Sequence, residues 1–237
     1  GLPCGLEADW NDCLKLGPAG ESLFVAFQLR LGLTEYAQIA ERLSKADESR
    51  WALAERDRLD AALAQHAWDG RWFVRAYHED GTTIGSHKDQ EGSIYLNAQS
   101  WAVLSGAATR AQAEQAMASL HEHLATPFGL ELCSPPYETV SHAVVRAVLF
   151  NNGQKENAGI FCHPQAWAVM AAAELGQNDR AYAYYRAYMP AAYNERAEVR
   201  EIEPYVHSQT THGRHSRLFG KSRLPWLSGT ASWSYYA

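Results

Sequence analysis

The sequence predicts an all-α fold arranged as an α/α toroid, on the basis of three observations. Apolar residues recur at helical spacing through most of the 237 residues. Tryptophans recur every 66 residues, at Trp101, Trp167 and Trp233. Long polar loops separate the helical segments. Repeated helical hairpins that close into a ring explain all three, whereas open solenoids usually repeat every 33–47 residues or so.

The first helical segment covers residues 20–44, where Gly-Leu-Thr at 32–34 predicts a break between two helices. Its apolar positions are Leu23, Phe24, Phe27, Leu31, Tyr36, Ile39 and Leu43. A second amphipathic helix is predicted over 48–66. Its apolar positions are Trp51, Leu53, Leu59, Ala62 and Leu63. We therefore expect a helical hairpin followed by a single helix.

A short β-hairpin is predicted between helices, in "RWFVRAYHEDGTTIG" at 71–85. The Asp80-Gly81 pair favours a tight turn between two apolar strands. We expect an insertion in the helical fold.

The repeat then begins, because "NAQSWAVLSG" at 97–106 resembles "HPQAWAVMAA" at 163–172, and "GTASWSYYA" ends the sequence. Second helices are predicted at about 110–125 and 178–188, so the repeating unit is a helical hairpin plus a long loop. The sequence has no initial Met and ends within a predicted helix. We expect residues 1–237 to be one portion of a single barrel domain within a longer chain.

Composition argues against several classes of protein. Net charge is -6 with both signs interspersed, which disfavours nucleic-acid and membrane-surface binding. No apolar run reaches the 18 or so residues that span a bilayer, and no signal segment is present. Cys4, Cys13, Cys133 and Cys162 lack metal or redox spacing, which fits buried thiols without disulfides. The sequence predicts a cytoplasmic protein.

The segment "EADWNDC" at 7–13 predicts a sugar site. A pyranose presents an apolar face to the indole of Trp10 and hydroxyls to Asp9 and Asp12. A carboxylic acid shielded beside the ring can hold its proton at neutral pH. The alternative is an N-cap aspartate beside a core tryptophan.

Two other loops predict polar and anion sites. "NNGQKENAGIFCH" at 151–163 carries Lys155 and Glu156, and its His163 precedes a proline at a helix start, where anions bind well. Ser228 and Gly229 in "WLSGTASW" offer hydroxyl and backbone N–H groups at another helix start. The alternatives are a solvated ion pair at Lys155-Glu156 and ordinary N-caps.

A histidine-rich segment covers 203–223, with His207, His212 and His215. These imidazoles suggest a metal, but no carboxylate stands at helical spacing to them and basic residues crowd the segment, so no metal or cofactor is predicted. Glu203 and Gln209 are instead predicted to hydrogen-bond sugar hydroxyls.

Four ordered motifs together resemble the inverting glycoside phosphorylases of the cellobiose and chitobiose phosphorylase family. The motifs are "ADWNDC" at 8–13, "KENAGIFCH" at 155–163, "EPYV" at 203–206 with Gln209, and "WLSGTASW" at 226–233. The resemblance implies an (α/α)6 barrel, of which only the later part is present here. It also implies that the partners are a disaccharide and inorganic phosphate as co-substrate, with a possible homodimer.

The resemblance also implies residue roles. Asp12 would be the general acid and Trp10 a wall of the donor-sugar subsite. Lys155 with Glu156 match an acceptor-side polar pair, and Gln209 matches a sugar-binding glutamine. The phosphate site would be formed by His163, Ser228 and Gly229.

Arg146 lies on the segment where the family resemblance puts acceptor-recognition residues. A guanidinium matches a carboxylate bidentately, which favours an anionic acceptor and predicts a cellobionic acid phosphorylase. The alternatives are an exposed helix arginine, and with it a cellobiose or chitobiose phosphorylase. Two further alternatives are a glucoamylase-like hydrolase on the same toroid and a non-catalytic barrel fragment.

Overall fold

A computed structural model describes residues 1–5 and 9–237. The described residues form eight α-helices, which are α1 Leu23–Arg42, α2 Ala46–His66, α3 Leu96–Leu104, α4 Arg110–Leu124, α5 Gln165–Glu174, α6 Asn178–Tyr188, α7 Ala197–Arg200 and α8 Thr230–Tyr236. They also form two 3-10 helices, Arg146–Leu149 and Pro190–Arg196. The domain is therefore mostly helical. Within the described residues, none of the helices is long and apolar enough to cross a membrane.

Short strands join the loops into small antiparallel sheets. They are β1 Glu21–Ser22, β2 Ala76–Tyr77, β3 Thr83–Ile84, β4 Ile94–Tyr95, β5 Ala125–Thr126, β6 Gly129–Leu130, β7 Cys133–Ser134, β8 Ile160–Phe161, β9 Ser208–Thr211 and β10 Ser222–Pro225. The strictly all-α prediction omitted all of these except the hairpin. Each strand is only two or four residues long, too short to show a period-2 pattern in the sequence.

The helices pack as successive hairpins. Helix α1 contacts α3, α3 contacts α5 and α5 contacts α8, while α2, α4 and α6 each pack against the helix before them. The predicted repeat is visible in this row, because Trp101 of α3 and Trp167 of α5 have ring centroids 5.7 Å apart. Trp167 and Trp233 of α8 are separated by 5.9 Å. The 66-residue period thus brings one tryptophan from each successive repeat into a shared aromatic cluster.

Helix α1 runs through the predicted break at 32–34. A methyl group added at Gly32 would meet no other atom, so the glycine marks no tight approach of the chain. The hydroxyl of Thr34 donates to the carbonyl of Arg30 at 3.0 Å and is satisfied within the helix. The prediction of a hairpin inside 20–44 is therefore wrong, and the hairpin is formed by α1 and α2.

Part of the predicted apolar face of α2 is exposed. Leu59 and Leu63 are buried as expected, but Trp51 is 56% exposed and Leu53 is 36% exposed. Ala52 is buried instead, because its small side chain lets α2 approach α1 closely. Tyr36 and Ile39 of α1, and Leu43 just after it, are likewise exposed rather than buried as predicted.

The predicted β-hairpin is confirmed, with Ala76 opposite Ile84 and Tyr77 opposite Thr83. Its turn is longer than a two-residue turn, because the backbone N–H of His78 donates to Thr82 at 2.9 Å. The hairpin is more than an insertion. Strand β1, just before α1, pairs with β2 and ties the hairpin to the start of the helical fold.

A second small sheet has the strand order β10-β9-β8. In its central row, Thr210 lies opposite both Phe161 and Arg223, so these three side chains lie on one face of the sheet. The buried thiols of Cys133 and Cys162 fit the sequence prediction, whereas Cys13 is half-buried and Cys4 is exposed.

Candidate active site

Most of the predicted site residues line one cleft of about 360 Å³. Its lining residues are Trp10, Asp12, Glu156, Phe161, His163, Gln209, Leu227, Ser228 and Gly229. They come from the loops before β1, β8, α5 and α8 and from strands β8 and β9, so segments far apart in the sequence converge here. Glu7 and Ala8 of the first motif lie outside the described residues.

The loop that carries Asp12 is held by a buried ion pair between Asp9 and Arg75, the residue that directly precedes β2. Asp9 also accepts hydrogen bonds from the hydroxyl of Ser22 and from the backbone N–H of Asn11, the latter at 2.8 Å. Burial alone would raise the pKa of Asp9, but Arg75 and these hydrogen bonds outweigh it and lower the pKa. Asp9 is therefore an ionised anchor.

Asn11 connects this anchor to the cleft. Its side-chain oxygen accepts from Arg75 Nη2 at 2.8 Å and from Asn97 Nδ2 at 2.9 Å. Its amide nitrogen donates to Glu156 Oε2 at 3.0 Å, and the backbone N–H of Cys13 donates to the same oxygen at 3.4 Å. Glu156 thus braces both neighbours of Asp12. The side chain of Asp12 itself is exposed in the cleft.

Glu156 differs from Asp12 in its surroundings, although both carboxyl groups line the cleft. Burial raises the pKa of Glu156 above its ordinary value, and the charge of Asp12 acts in the same direction. The hydrogen bonds from Asn11 and Cys13 oppose this rise. The cleft therefore contains one exposed carboxyl group and one that is half-buried and held in place.

Trp10 forms an aromatic wall of the cleft. Its ring packs edge-on against Phe161, with centroids 4.9 Å apart, and against Trp167 at 5.7 Å. Its indole N–H donates to Nδ1 of His163 at 3.2 Å. A flat ring that is fixed on several sides is suited to pack against the apolar face of a sugar.

His163 lies just before α5, as the sequence predicted. Burial lowers its pKa, so the imidazole is neutral near pH 7. A methyl group at Gly229 would lie 3.5 Å from its Nε2, so the Ser228-Gly229 loop passes close to this nitrogen. The Ser228 hydroxyl is engaged locally, accepting from the backbone N–H of Thr230 at 3.0 Å. The imidazole of His163 and the Ser228-Gly229 loop, with its hydroxyl, therefore lie together in the cleft.

Three predicted residues do not line this cleft. Arg146 is exposed on the 3-10 helix, although its backbone N–H donates to the carbonyl of Cys13 at 2.8 Å, which places it beside the loop of Asp12. Lys155 lines a neighbouring cavity and its ammonium lies 5.1 Å from the Phe150 ring centroid. Glu203 is exposed in the loop after α7.

Two residues that support the site were not predicted from the sequence. Arg75 is fully buried and Asn97 is buried at the start of α3. An arginine between Val74 and Ala76 in a predicted apolar strand was the available signal, since a fully buried arginine requires anionic or hydrogen-bonding partners. Phe161 was noted only as part of an apolar run.

The histidine-rich segment engages its imidazoles in other contacts. His212 Nδ1 lies 2.7 Å from the Ser216 hydroxyl, and Arg223 Nε donates to His212 Nε2 at 3.2 Å. In residues 1–5 and 9–237, no group of three His, Cys, Asp or Glu side chains is arranged to hold a metal ion.

Comparison with known proteins identifies the family. Residues 1–237 match the catalytic domain of the glycosyl hydrolase 94 superfamily. The chain belongs to this superfamily. It is 38% identical over 239 residues to the N,N'-diacetylchitobiose phosphorylase of Vibrio proteolyticus, a match that covers 100% of the chain and 30% of that relative. Membership of the superfamily confirms the resemblance to the phosphorylases drawn from the four motifs.

Two further matches add to the comparison. The chain is 30% identical over 249 residues to the cellobionic acid phosphorylase of Neurospora crassa, covering 99% of the chain and 31% of the relative. It thus spans less than a third of the length of these curated relatives. A solved structure named "Sialidase" has a similar fold, with a TM-score of 0.62, 11% identity, 94% of this chain covered and 21% of that one.

Proposed function

We propose that this superfamily member contributes the acid and phosphate sites of an inverting disaccharide phosphorylase. The proposal rests on one observation, which is that Asp12, Trp10 and His163 line the same cleft. An exposed carboxyl group, an aromatic plate and a neutral imidazole beside a small loop are the groups that phosphorolysis of a sugar requires.

In the proposed reaction, Asp12 gives its proton to the glycosidic oxygen as the bond to the anomeric carbon breaks. A phosphate oxygen attacks the same carbon from the opposite face and forms the new bond. Inversion of a β-1,4-linked disaccharide yields α-glucose 1-phosphate and the released acceptor. Inverting hydrolysis needs a second carboxylate to activate water. Phosphate is already an anionic nucleophile, so holding it is enough.

The position of His163 supports its role at the phosphate. Trp10 donates to Nδ1, so the proton of the neutral ring is on Nε2, on the side of Gly229. An N–H there can donate to a phosphate oxygen without the cost of burying a charge. Ser228 adds a hydroxyl on the same loop.

Dependence on phosphate tests the proposal directly. The full-length protein should cleave a β-1,4-linked disaccharide only when phosphate is present, and α-glucose 1-phosphate should form in equal amount to the acceptor. Turnover without phosphate would favour the glucoamylase-like hydrolase. Absence of any turnover by the full-length protein would favour the non-catalytic alternative.

For the acceptor we propose gluconate, which makes the substrate cellobionic acid. Arg146 supports this choice, because it adjoins the loop of Asp12 and offers a guanidinium to a carboxylate. The second candidate is N,N'-diacetylchitobiose, favoured by the 38% identity to a phosphorylase named for it. Rates of phosphorolysis on cellobionate, cellobiose and N,N'-diacetylchitobiose, for wild type and Arg146→Ala, distinguish the candidates.

We also propose that the helical hairpins form part of an (α/α)6 ring. The support is their packing in chain order, with α3, α5 and α8 following α1 in one row and α2, α4 and α6 behind it. A crystal structure of the full-length protein tests the closure of the ring.

A further inference from the structure

Beside the cleft lies a second cavity of about 300 Å³, called here the basic cavity. Its lining residues are Gln154, Lys155, Thr210, Thr211, His212, Arg223 and Leu224. Two connections show that it adjoins the cleft. Lys155 directly precedes Glu156, which lines the cleft, and Thr210 lies opposite the cleft residue Phe161 across the sheet.

The lining of the basic cavity is cationic and includes no carboxylate. In the part of the chain that the structure describes, neither Lys155 nor Arg223 forms an ion pair with an acidic side chain, unlike the nearby Lys221, which pairs with Glu201. The ammonium of Lys155 lies over the face of the Phe150 ring, 5.1 Å from its centroid. Two cations that form no ion pair within the described residues therefore border one cavity.

A buried histidine orients Arg223. His212 Nε2 accepts from Arg223 Nε at 3.2 Å, and its Nδ1 donates to the Ser216 hydroxyl at 2.7 Å. Burial and the charges of Arg223 and Lys221 lower the pKa of His212, which fits a neutral ring with an accepting Nε2. Arg223 is thus held through Nε, and among the described residues its two terminal nitrogens have no hydrogen-bond partner.

The backbone around the cavity is strained on both sides. Lys155 has φ 47° and Leu224 has φ 53°, in the left-handed region that non-glycine residues rarely adopt. Strained residues of this kind cluster at ligand-binding walls, where the surrounding structure holds them in place. Both strained residues line the cavity, one on the Glu156 loop and one on β10.

We propose that the basic cavity binds the carboxylate of a sugar acid that forms part of the substrate. The two terminal nitrogens of Arg223 would take the two carboxylate oxygens, and Lys155 would add a second positive charge. Thr210 and Gln154 can hydrogen-bond the neighbouring sugar hydroxyls. The phosphate of the reaction has a separate candidate site, which lies at His163 in the cleft. This inference rests on the proposed phosphorylase function and makes Arg223, rather than Arg146, the principal carboxylate ligand.

The test uses the full-length protein in the synthetic direction, with α-glucose 1-phosphate as donor and glucose, gluconate or glucuronate as acceptor. Arg223→Gln should lower kcat/KM for the acids about 10- to 100-fold, since a bidentate charged contact is lost. It should leave kcat/KM for glucose nearly unchanged. Arg217→Gln is the matched control, because Arg217 is exposed in the loop that leads into β10 and lies outside the lining of the cavity.

A second arm finds which sugar carries the acid. With α-glucuronate 1-phosphate as donor and glucose as acceptor, a selective loss in Arg223→Gln assigns the cavity to the donor ring. A selective loss with acid acceptors assigns it to the acceptor. Equal losses on neutral and acidic sugars would overturn the proposal and leave the phosphorylase function intact.

Two further outcomes remain distinct. Acid preference that disappears in Arg146→Ala but persists in Arg223→Gln would overturn the basic cavity in favour of Arg146. If no phosphate-dependent turnover is seen, the proposed function fails. Calorimetric titration with gluconate and glucuronate then still tests whether the basic cavity binds a carboxylate. Binding by wild type and Arg217→Gln but not by Arg223→Gln would support it, and equal binding by all three would refute it.

Discussion

The indole nitrogen of Trp10 donates a hydrogen bond to Nδ1 of His163 across 3.2 Å. One residue therefore contacts both ends of the candidate site, as the proposed aromatic wall for sugar and as the group that fixes the imidazole tautomer. With Nδ1 accepting, the ring proton of neutral His163 is on Nε2, which faces the Ser228-Gly229 loop. The proposed sugar wall at Trp10 and the proposed phosphate site at His163 are thus linked by a hydrogen bond.

Replacing Trp10 by phenylalanine should separate these two roles. Trp10→Phe keeps an aromatic face but removes the N–H, so His163 can adopt the other tautomer and turn. We expect the KM for phosphate to rise about tenfold, the cost of one hydrogen bond in the site, with a smaller change in KM for the disaccharide. Steady-state kinetics with each substrate varied in turn measures both.

Trp101→Phe is the matched control, because Nε1 of Trp101 is buried and has no hydrogen-bond partner among the described residues. This variant loses the same atoms without losing a hydrogen bond. A similar rise in the phosphate KM in both variants would contradict the coupling.

Asp12 should behave as a proton donor in variants of the full-length protein. Asp12→Asn should lower turnover of a natural disaccharide about 10²–10⁴-fold, the usual contribution of a positioned acid. An activated aryl glycoside needs little protonation and should lose much less. Rates on the two substrates measure the difference, and equal losses would indicate that Asp12 only positions the sugar.

The buried pair of Arg75 and Asp9 should matter more for stability than any exposed pair. Arg75→Met leaves the Asp9 carboxylate buried without its counter-ion, which typically costs about 3–5 kcal/mol in the free energy of unfolding. Arg58→Met breaks the exposed pair with Glu55 and should cost about 0–1 kcal/mol. Urea denaturation of both variants gives the comparison. Similar losses would mean that Asp9 is held well enough by Ser22 and the backbone.

The elements that could be predicted from the sequence were those with long or repeated patterns. Helix α2 and the tryptophan repeat follow from periodicity that extends over many residues, and the hairpin of β2 and β3 follows from its Asp-Gly turn. The gathering of Asp12, His163 and Gly229 could be inferred only because four motifs resemble a family. Periodicity contains no information on which loops meet.

Other features depend on tertiary contacts that leave little trace in one sequence. Gly32 continues α1 because nothing crowds it, so a breaker residue alone did not determine the helix end. Trp51 is exposed because Ala52 provides the close contact between α1 and α2. Arg75 acquires its role from Asp9, 66 positions earlier, and this pairing becomes visible only in three dimensions.

His207 predicts a pH dependence of stability. Its Nδ1 is buried without a hydrogen-bond partner in the described part of the chain, and its ring lies 5.9 Å from that of Tyr188. Burial, together with the charge of Arg200, lowers its pKa to about 4 from the ordinary value of 6.5. Between these two values the unfolded chain binds a proton that the folded chain does not. The free energy of unfolding should therefore fall as the pH drops from 6.5 towards 4.

His207→Phe keeps a ring against Tyr188 and removes the titration. Relative to this variant, wild type should lose roughly 1 kcal/mol of unfolding free energy between pH 7.5 and pH 5, a figure reduced for the partial exposure of the imidazole. Tyr188→Phe is the control, because burial raises the pKa of Tyr188 to about 12, far above this window. The difference in unfolding free energy between Tyr188→Phe and wild type should be the same at both pH values. Urea denaturation at pH 7.5 and pH 5 gives the free energy of unfolding of all three proteins. If the difference in this free energy between wild type and His207→Phe stays constant with pH, His207 titrates alike in the folded and unfolded chain.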